Sequence, residues 1–125
     1  MPTSIIRAAR FLGRTGLIAG SLVIIAVSVL PGDELPSTDL SDKLLHTLAY
    51  AILMACVTVG FRAKSWPRLG LLLVALGAAL EVAQGFVPGR TASLLDGLSN
   101  ALGVVVVLMA ASLFARLLPV AEEEF

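Results

Sequence analysis

Charge is scarce in this chain. Lys, Arg, Asp and Glu make up 14% of its 125 residues, and the formal net charge is zero. A soluble domain usually carries about 25% charge and about 45–50% apolar residues. At 58% hydrophobic, this sequence lies outside that range on both counts, and an ordinary soluble domain is excluded. Basic clusters interleaved with aromatics are missing, which removes nucleic acid from the partners to consider. Cysteine occurs once, so no internal disulfide can form. Cys56 lies in the run AILMACV and reads as a small apolar residue. Also absent are a nucleophile elbow, an H-E-x-x-H motif and a Cys–His pair placed for covalent chemistry, which leaves no familiar hydrolase signature.

What the chain has is long hydrophobic runs. A helix needs about 20 mostly apolar residues to cross a bilayer. Four segments meet this requirement: Phe11 to Leu30, Lys43 to Phe61, Leu69 to Val87, and Ser93 to Leu118. Pro31-Gly32, Pro88-Gly89 and Pro119 mark three of their ends. The expected fold is all-α: a polytopic membrane protein with four transmembrane helices in a bundle, formed by residues 1–125 as a single domain. A basic start ahead of an apolar run also resembles a signal peptide. No small-x-small cleavage site follows the run (VSVLPG), so the first span is expected to stay.

The few charges are distributed unevenly. Arg7, Arg10 and Arg14 precede the first span, Arg62, Lys64 and Arg68 lie between the second and third, and Arg116 closes the fourth. The other side carries Asp33, Glu34, Asp39, Asp42, Lys43 and Arg90. The positive-inside rule therefore places both termini and the loop between the second and third spans in the cytoplasm, with Trp66 as an interfacial anchor. The expected location is a bacterial cytoplasmic (inner) membrane. The end EEEF reads as a short solvated tail.

Against this background the polar residues inside the spans stand out, because an ionisable group near the bilayer centre costs at least about 2.5–3.5 kcal/mol. They are Asp42, Lys43, His46 and Tyr50 on the second span, Glu81 and Gln84 on the third, Arg90 in the following turn, and Asp96 and Asn100 on the fourth. At about 1.5 Å per residue, all of them fall within about 12 Å of the outer face. At about 100° per residue they form stripes: Asp42, His46 and Ala49 with Tyr50 at the edge; Gly77, Glu81, Gln84 and Pro88; and Ser93, Asp96, Asn100 and Gly103. Each stripe mixes polar with small residues, as an inward-facing surface should. The expectation is a polar pocket open to the outer face and walled by spans two, three and four. Glu81, the deepest acid, is the group best placed to exchange a proton. Ala75, Ala79 and Ala83 form a separate small-residue stripe expected to pack on another helix, and Gly16-x-x-x-Gly20 is expected to do the same.

These residues resemble the VanZ-like family of small bacterial membrane proteins. The likeness rests on SDKLLHTLAYAIL and EVAQGFVPGRTASLLDGLSNALG and covers about residues 31–112. It implies an envelope-located membrane protein from a family named after a protein linked to teicoplanin resistance.

Three functions follow as expectations. In the first, the pocket binds an envelope lipid head group, a cell-wall precursor or a glycopeptide, and Arg90 supplies a bidentate anion contact. In the second, the site is an enzyme acting on a lipid-linked substrate, with His46, Glu81 and Asp96 as candidate acid–base groups. A metal hydrolase built on Asp42, His46, Glu81 and Asp96 is a variant of this reading, and such ligands suit Mg or Mn better than structural zinc. No metal or cofactor is assigned. In the third, the chain is a small proton-coupled transporter, a reading disfavoured because MACVTVGF and LGLLLVAL, the inner halves of spans two and three, hold no ionisable residue. Membrane lipids are expected partners in every case, and a homo-oligomer is compatible with the sequence. Each polar residue also has a structural reading. Asn100 and Gln84 can join helices, Tyr50 can pack, His46 can make a helix contact, Lys43 can pair at the interface, and Asp42 can cap span two.

Overall fold

The computed structural model describes residues 3–35 and 41–117. Asp39, Pro119 and the acidic tail lie outside the described residues. Every described element is helical: α1 (Thr3–Val29), α2 (Asp42–Gly60), α3 (Trp66–Gln84) and α4 (Leu94–Leu117). All four are long and apolar enough to cross a membrane; for α3 the candidate span begins at Ala63, in the 3₁₀ turn that leads into the helix.

The boundaries have local causes. α1 stops ahead of Pro31, since a residue before proline disfavours helical backbone. α2 begins where Ser41 caps it: the Leu44 amide donates to the Ser41 hydroxyl at 3.3 Å. Asp42 follows in the first turn, where a negative charge suits the helix dipole. α4 starts in the same way, with the Asp96 amide donating to the Ser93 hydroxyl at 3.3 Å. Between α3 and α4 the chain turns at Gly89, whose φ of +72° suits a residue without a side chain. Two elements start earlier than hydropathy indicates. α1 takes in Arg7, Arg10 and Arg14, and α3 takes in Pro67 and Arg68. Helical hydrogen bonding is not confined to the apolar run, and a proline is tolerated in the first turn.

α2 holds the central position, packing most extensively on α4 and next on α1, while α3 packs mainly on α4. Helices approach closely where a side chain is missing. A Cβ on Gly103 of α4 would collide with the Thr47 carbonyl oxygen of α2. One on Gly13 of α1 would come within 2.5 Å of the Gly60 amide nitrogen of α2. Gly16 and Gly20 also face α2, against Cys56 and Leu53, as the GxxxG spacing predicts.

The buried apolar core is small: Tyr50, Leu53, Met54 and Val57 from α2, Trp66 and Leu73 from α3, and Val104 from α4. Many large apolar side chains are exposed, including Phe11, Leu22, Leu71, Phe86, Leu94 and Phe114. In water so much exposed apolar surface would be a liability, whereas next to lipid it is ordinary.

Two packing expectations change. Ala75 and Ala79 are exposed, so their stripe does not pack within this chain. α3 instead buries Gly70, Leu73, Gly77, Glu81 and Gln84, the face that combines a core leucine with the deep polar groups. Trp66 is buried rather than spread at an interface, and its indole N–H donates to the Phe61 carbonyl at 3.0 Å. That carbonyl lies just past the end of α2, where helix acceptors need partners.

The two Pro-Gly turns meet at one end of the molecule. The Gly32 amide donates to the Pro88 carbonyl at 3.2 Å. This is the polar end, at which α2 and α4 begin and α3 finishes.

Candidate functional site

At the polar end, His46 is the hub. It lies one turn into α2, with its imidazole directed between α3 and α4. Nδ1 is 2.9 Å from Asn100 Oδ1 and 3.7 Å from Glu81 Oε1. Nε2 is 4.0 Å from Asp96 Oδ2. The Asn100 oxygen is an acceptor, so in the neutral ring it assigns the proton to Nδ1 and leaves the Nε2 lone pair toward Asp96. Asn100 is held in turn by close packing: a Cβ on Gly77 would sit 3.0 Å from its amide nitrogen and 3.2 Å from the Tyr50 ring. The small residue at position 77 thus lets α3 approach Asn100 and Tyr50.

Glu81 is buried and oriented by the α3–α4 turn. Its Oε2 accepts from the Ser93 backbone amide at 3.1 Å. The Gln84 amide assignment that satisfies both its ends makes it donate to Glu81 Oε1 at 3.2 Å and accept from Arg90 Nη2 at 2.6 Å. Among the described residues, Arg90's side-chain partner is therefore a neutral amide. No described carboxylate contacts it directly.

Asp96 is less settled. Its Oδ1 is buried and makes no hydrogen bond among the described residues. Lys43 Nζ lies 3.7 Å from that oxygen, on a side chain that is 56% exposed. A separation of 3.7 Å exceeds hydrogen-bonding range, so the lysine lends charge to Asp96 without satisfying it.

The three stripes read from helical periodicity therefore converge, and Lys43, His46, Tyr50, Glu81, Gln84, Arg90, Asp96 and Asn100 occupy one region. Asp42 does not join them. It is exposed in the first turn of α2, and no contact links it to the cluster among the described residues. It shares the helical face of His46 but is one turn nearer the start of α2. Capping of α2 belongs to Ser41. Ser93 enters the site in two ways, through its backbone N–H to Glu81 and through its hydroxyl, which caps Asp96. The S-x-x-D spacing at the start of α4 signals the cap, but no residue type signals the backbone donor.

Two properties decide what the arrangement can do. First, the site is only partly shielded: side-chain exposure is 24% for His46, 17% for Asp96 and 10% for Glu81. Second, both His–acid separations exceed hydrogen-bonding distance. The groups surround a space rather than close on one another. Anion contact at Arg90, proton transfer at His46 and cation binding by His46, Glu81 and Asp96 are all chemically open to them.

In comparisons with protein families, curated proteins and solved structures, this chain matches none.

Proposed function

We propose that this is a VanZ-like protein of the bacterial cytoplasmic membrane, a four-helix bundle with both termini cytoplasmic. The polar end faces outward and binds the anionic head group of an envelope lipid or lipid-linked cell-wall precursor. The observation that carries this reading is the convergence of His46, Glu81 and Asp96 from three apolar helices while each keeps part of its side chain exposed. Ionisable groups at membrane depth mark function more often than structure. Orientation follows the basic residues. Arg62, Lys64 and Arg68 lie at the opposite end, in the segment that the positive-inside rule assigns to the cytoplasm.

Arg90 is the anion contact in this reading. Gln84 holds its guanidinium at 2.6 Å without neutralising it. Lys43, with a side chain 56% exposed beside Asp96, adds a donor for phosphate, hydroxyl or amide groups. Exposed Phe86 and Leu94 lie on the segments flanking the α3–α4 turn and give an acyl or polyprenyl chain an apolar surface. A contribution to teicoplanin-type tolerance would follow if the bound precursor is the drug's target.

The test is calorimetric titration of the purified chain in neutral detergent, with EDTA present, using a water-soluble short-chain phosphatidylglycerol. Binding is expected to weaken about 10–100-fold in Arg90→Ala, equivalent to about 1.5–3 kcal/mol for a hydrogen bond to a charged group, and to stay unchanged in Arg68→Ala. Equal affinity of wild type and Arg90→Ala would remove Arg90 from the function.

A second reading has its own support. His46 lies within 4.0 Å of two carboxylates, an arrangement suited to a general acid or base acting on a lipid-linked substrate. It predicts turnover that is lost in His46→Ala while head-group affinity stays within about threefold of wild type, as expected for a group that acts mainly in the transition state.

A further inference from the structure

We infer that His46, Glu81 and Asp96 form a binding site for a divalent cation of the manganese type. The site takes the cation on its own, without a head group. The inference therefore stands apart from the lipid-binding reading, although a bound ion would also attract a phosphate oxygen.

Geometry is the first support. Each of the three residues offers one ligand atom, and these atoms lie within 4.8 Å of one another. Two ligand atoms held about 2.1–2.5 Å from one ion can lie up to about 4–5 Å apart. The separation of 4.0 Å between His46 Nε2 and Asp96 Oδ2 is too long for a hydrogen bond. Side chains held around an ion take such a spacing.

The second support is the state of each ligand. Asn100 Oδ1, at 2.9 Å from His46 Nδ1, holds the tautomer that leaves Nε2 free to coordinate. An outer partner of this kind commonly orients a ligating histidine. Glu81 is fixed by the Ser93 amide at 3.1 Å and by Gln84, so its carboxylate is positioned before any ion arrives. Asp96 Oδ1 is buried with no hydrogen bond among the described residues. That leaves the carboxylate with negative charge that hydrogen bonds do not match, and a cation beside it would offset this charge. Lys43 Nζ, 3.7 Å away on a half-exposed side chain, can swing out when an ion enters.

The donor set selects the ion. One imidazole with two carboxylates lies between the nitrogen and thiolate ligands preferred by zinc and the all-oxygen shells of magnesium and calcium. No thiolate is available, since Cys56 packs against Gly16 of α1. Three protein ligands leave positions for water, and the partial exposure of His46 and Asp96 gives the ion a way in.

The test uses the full chain, free of affinity tag and stripped with EDTA, in neutral detergent. Manganese chloride is titrated in, and free Mn²⁺ is read from its aqueous EPR signal. Wild type is expected to take up one ion per chain and to melt at a higher temperature with Mn²⁺ present, because an ion bound only by the folded state stabilises it. Glu81→Gln and Asp96→Asn are each expected to bind at least tenfold more weakly and to lose the melting shift. Asp42→Asn, outside the cluster, should bind as wild type does. Helical circular dichroism shows whether each variant is folded. If Glu81→Gln is not, Asp96→Asn and His46→Ala decide the matter. Absence of saturable uptake by wild type, or wild-type uptake by folded Asp96→Asn and His46→Ala, would overturn the inference. Head-group binding is measured in EDTA, so either idea can fail without the other.

Discussion

The two ends of this molecule use polar groups in opposite ways. Where α2 gives way to α3, polar side chains complete helix ends. The Arg14 guanidinium donates to the Gly60 carbonyl at 3.0 Å and lies over the Phe61 ring. The Trp66 indole donates to the Phe61 carbonyl at 3.0 Å. Each group meets a backbone acceptor that the helix leaves open. At the polar end, Glu81 and Ser93 do some of the same work, but His46, Asp96, Lys43 and Arg90 face one another or a space. His46 and Arg90 each keep one neutral amide partner, Asn100 at 2.9 Å and Gln84 at 2.6 Å. The ion pairs among Lys43, His46, Glu81 and Asp96, however, stand at 3.7–4.0 Å, and Asp96 Oδ1 lacks a hydrogen bond among the described residues. A structural network tends toward full satisfaction, because each unpaired buried polar atom is costly. Incomplete satisfaction at one end, set against completed caps at the other, is the difference on which the proposed binding site rests.

The contrast breaks most severely at the helix crossings. Gly103→Val would drive a side chain into the Thr47 carbonyl, separating α2 from α4 beneath the site. Overpacking costs typically about 1–3 kcal/mol and occasionally more. The top of that range is expected here, read as lowered thermal stability in detergent together with lost head-group binding. Gly13→Val would damage the α1–α2 contact at the other end to a similar degree. It should leave head-group affinity within about twofold at temperatures where the protein remains folded, because no site residue lies on α1. Equal loss of binding in both variants would show that the two ends are not separable.

Next in size is Glu81→Ala. It strips the acceptor from the Ser93 amide and from Gln84, with an expected loss of about 1–3 kcal/mol. It should also free the α3–α4 turn, seen as faster amide hydrogen exchange at Ser93. Arg14→Ala removes one partly exposed hydrogen bond to a helix-end carbonyl. A loss of about 0.5–1 kcal/mol is expected after allowing for that exposure, read as a melting shift, with ligand binding untouched. The smallest effect belongs to Asp42→Asn, which should leave head-group affinity unchanged within error and lower the melting temperature only slightly, through the charge lost from the first turn of α2. A clear binding loss there would bring Asp42 back into the site.

Much of this plan is legible in the residue order, for identifiable reasons. Hydropathy locates all four helices because lipid solvates their outer faces, and the Pro-Gly pairs end α1 and the α3 segment. Helical periodicity brings Glu81, Gln84, Asp96 and Asn100 onto facing stripes because their helices are regular over those turns. What periodicity lacks is the placement of one helix against another: Asp42 and His46 share a face, yet of the two it is His46 that lies against Glu81 and Asp96 among the described residues. Nor does it show which apolar face meets a neighbour, so exposed Ala75 and Ala79 look like a contact stripe in the sequence while buried Trp66 looks like an anchor. The Ser93 amide that holds Glu81 is a backbone group and has no letter in the sequence.

The most direct test of a water-open, outward-facing site is thiol labelling in intact cells. With Cys56→Ala as background, single substitutions Asp42→Cys and Arg90→Cys at the polar end and Lys64→Cys at the other are treated with a membrane-impermeant maleimide. The account predicts labelling at positions 42 and 90 in intact cells, and at position 64 only after permeabilisation. Labelling at 64 in intact cells, with 42 and 90 protected, would contradict it and place the site on the cytoplasmic side.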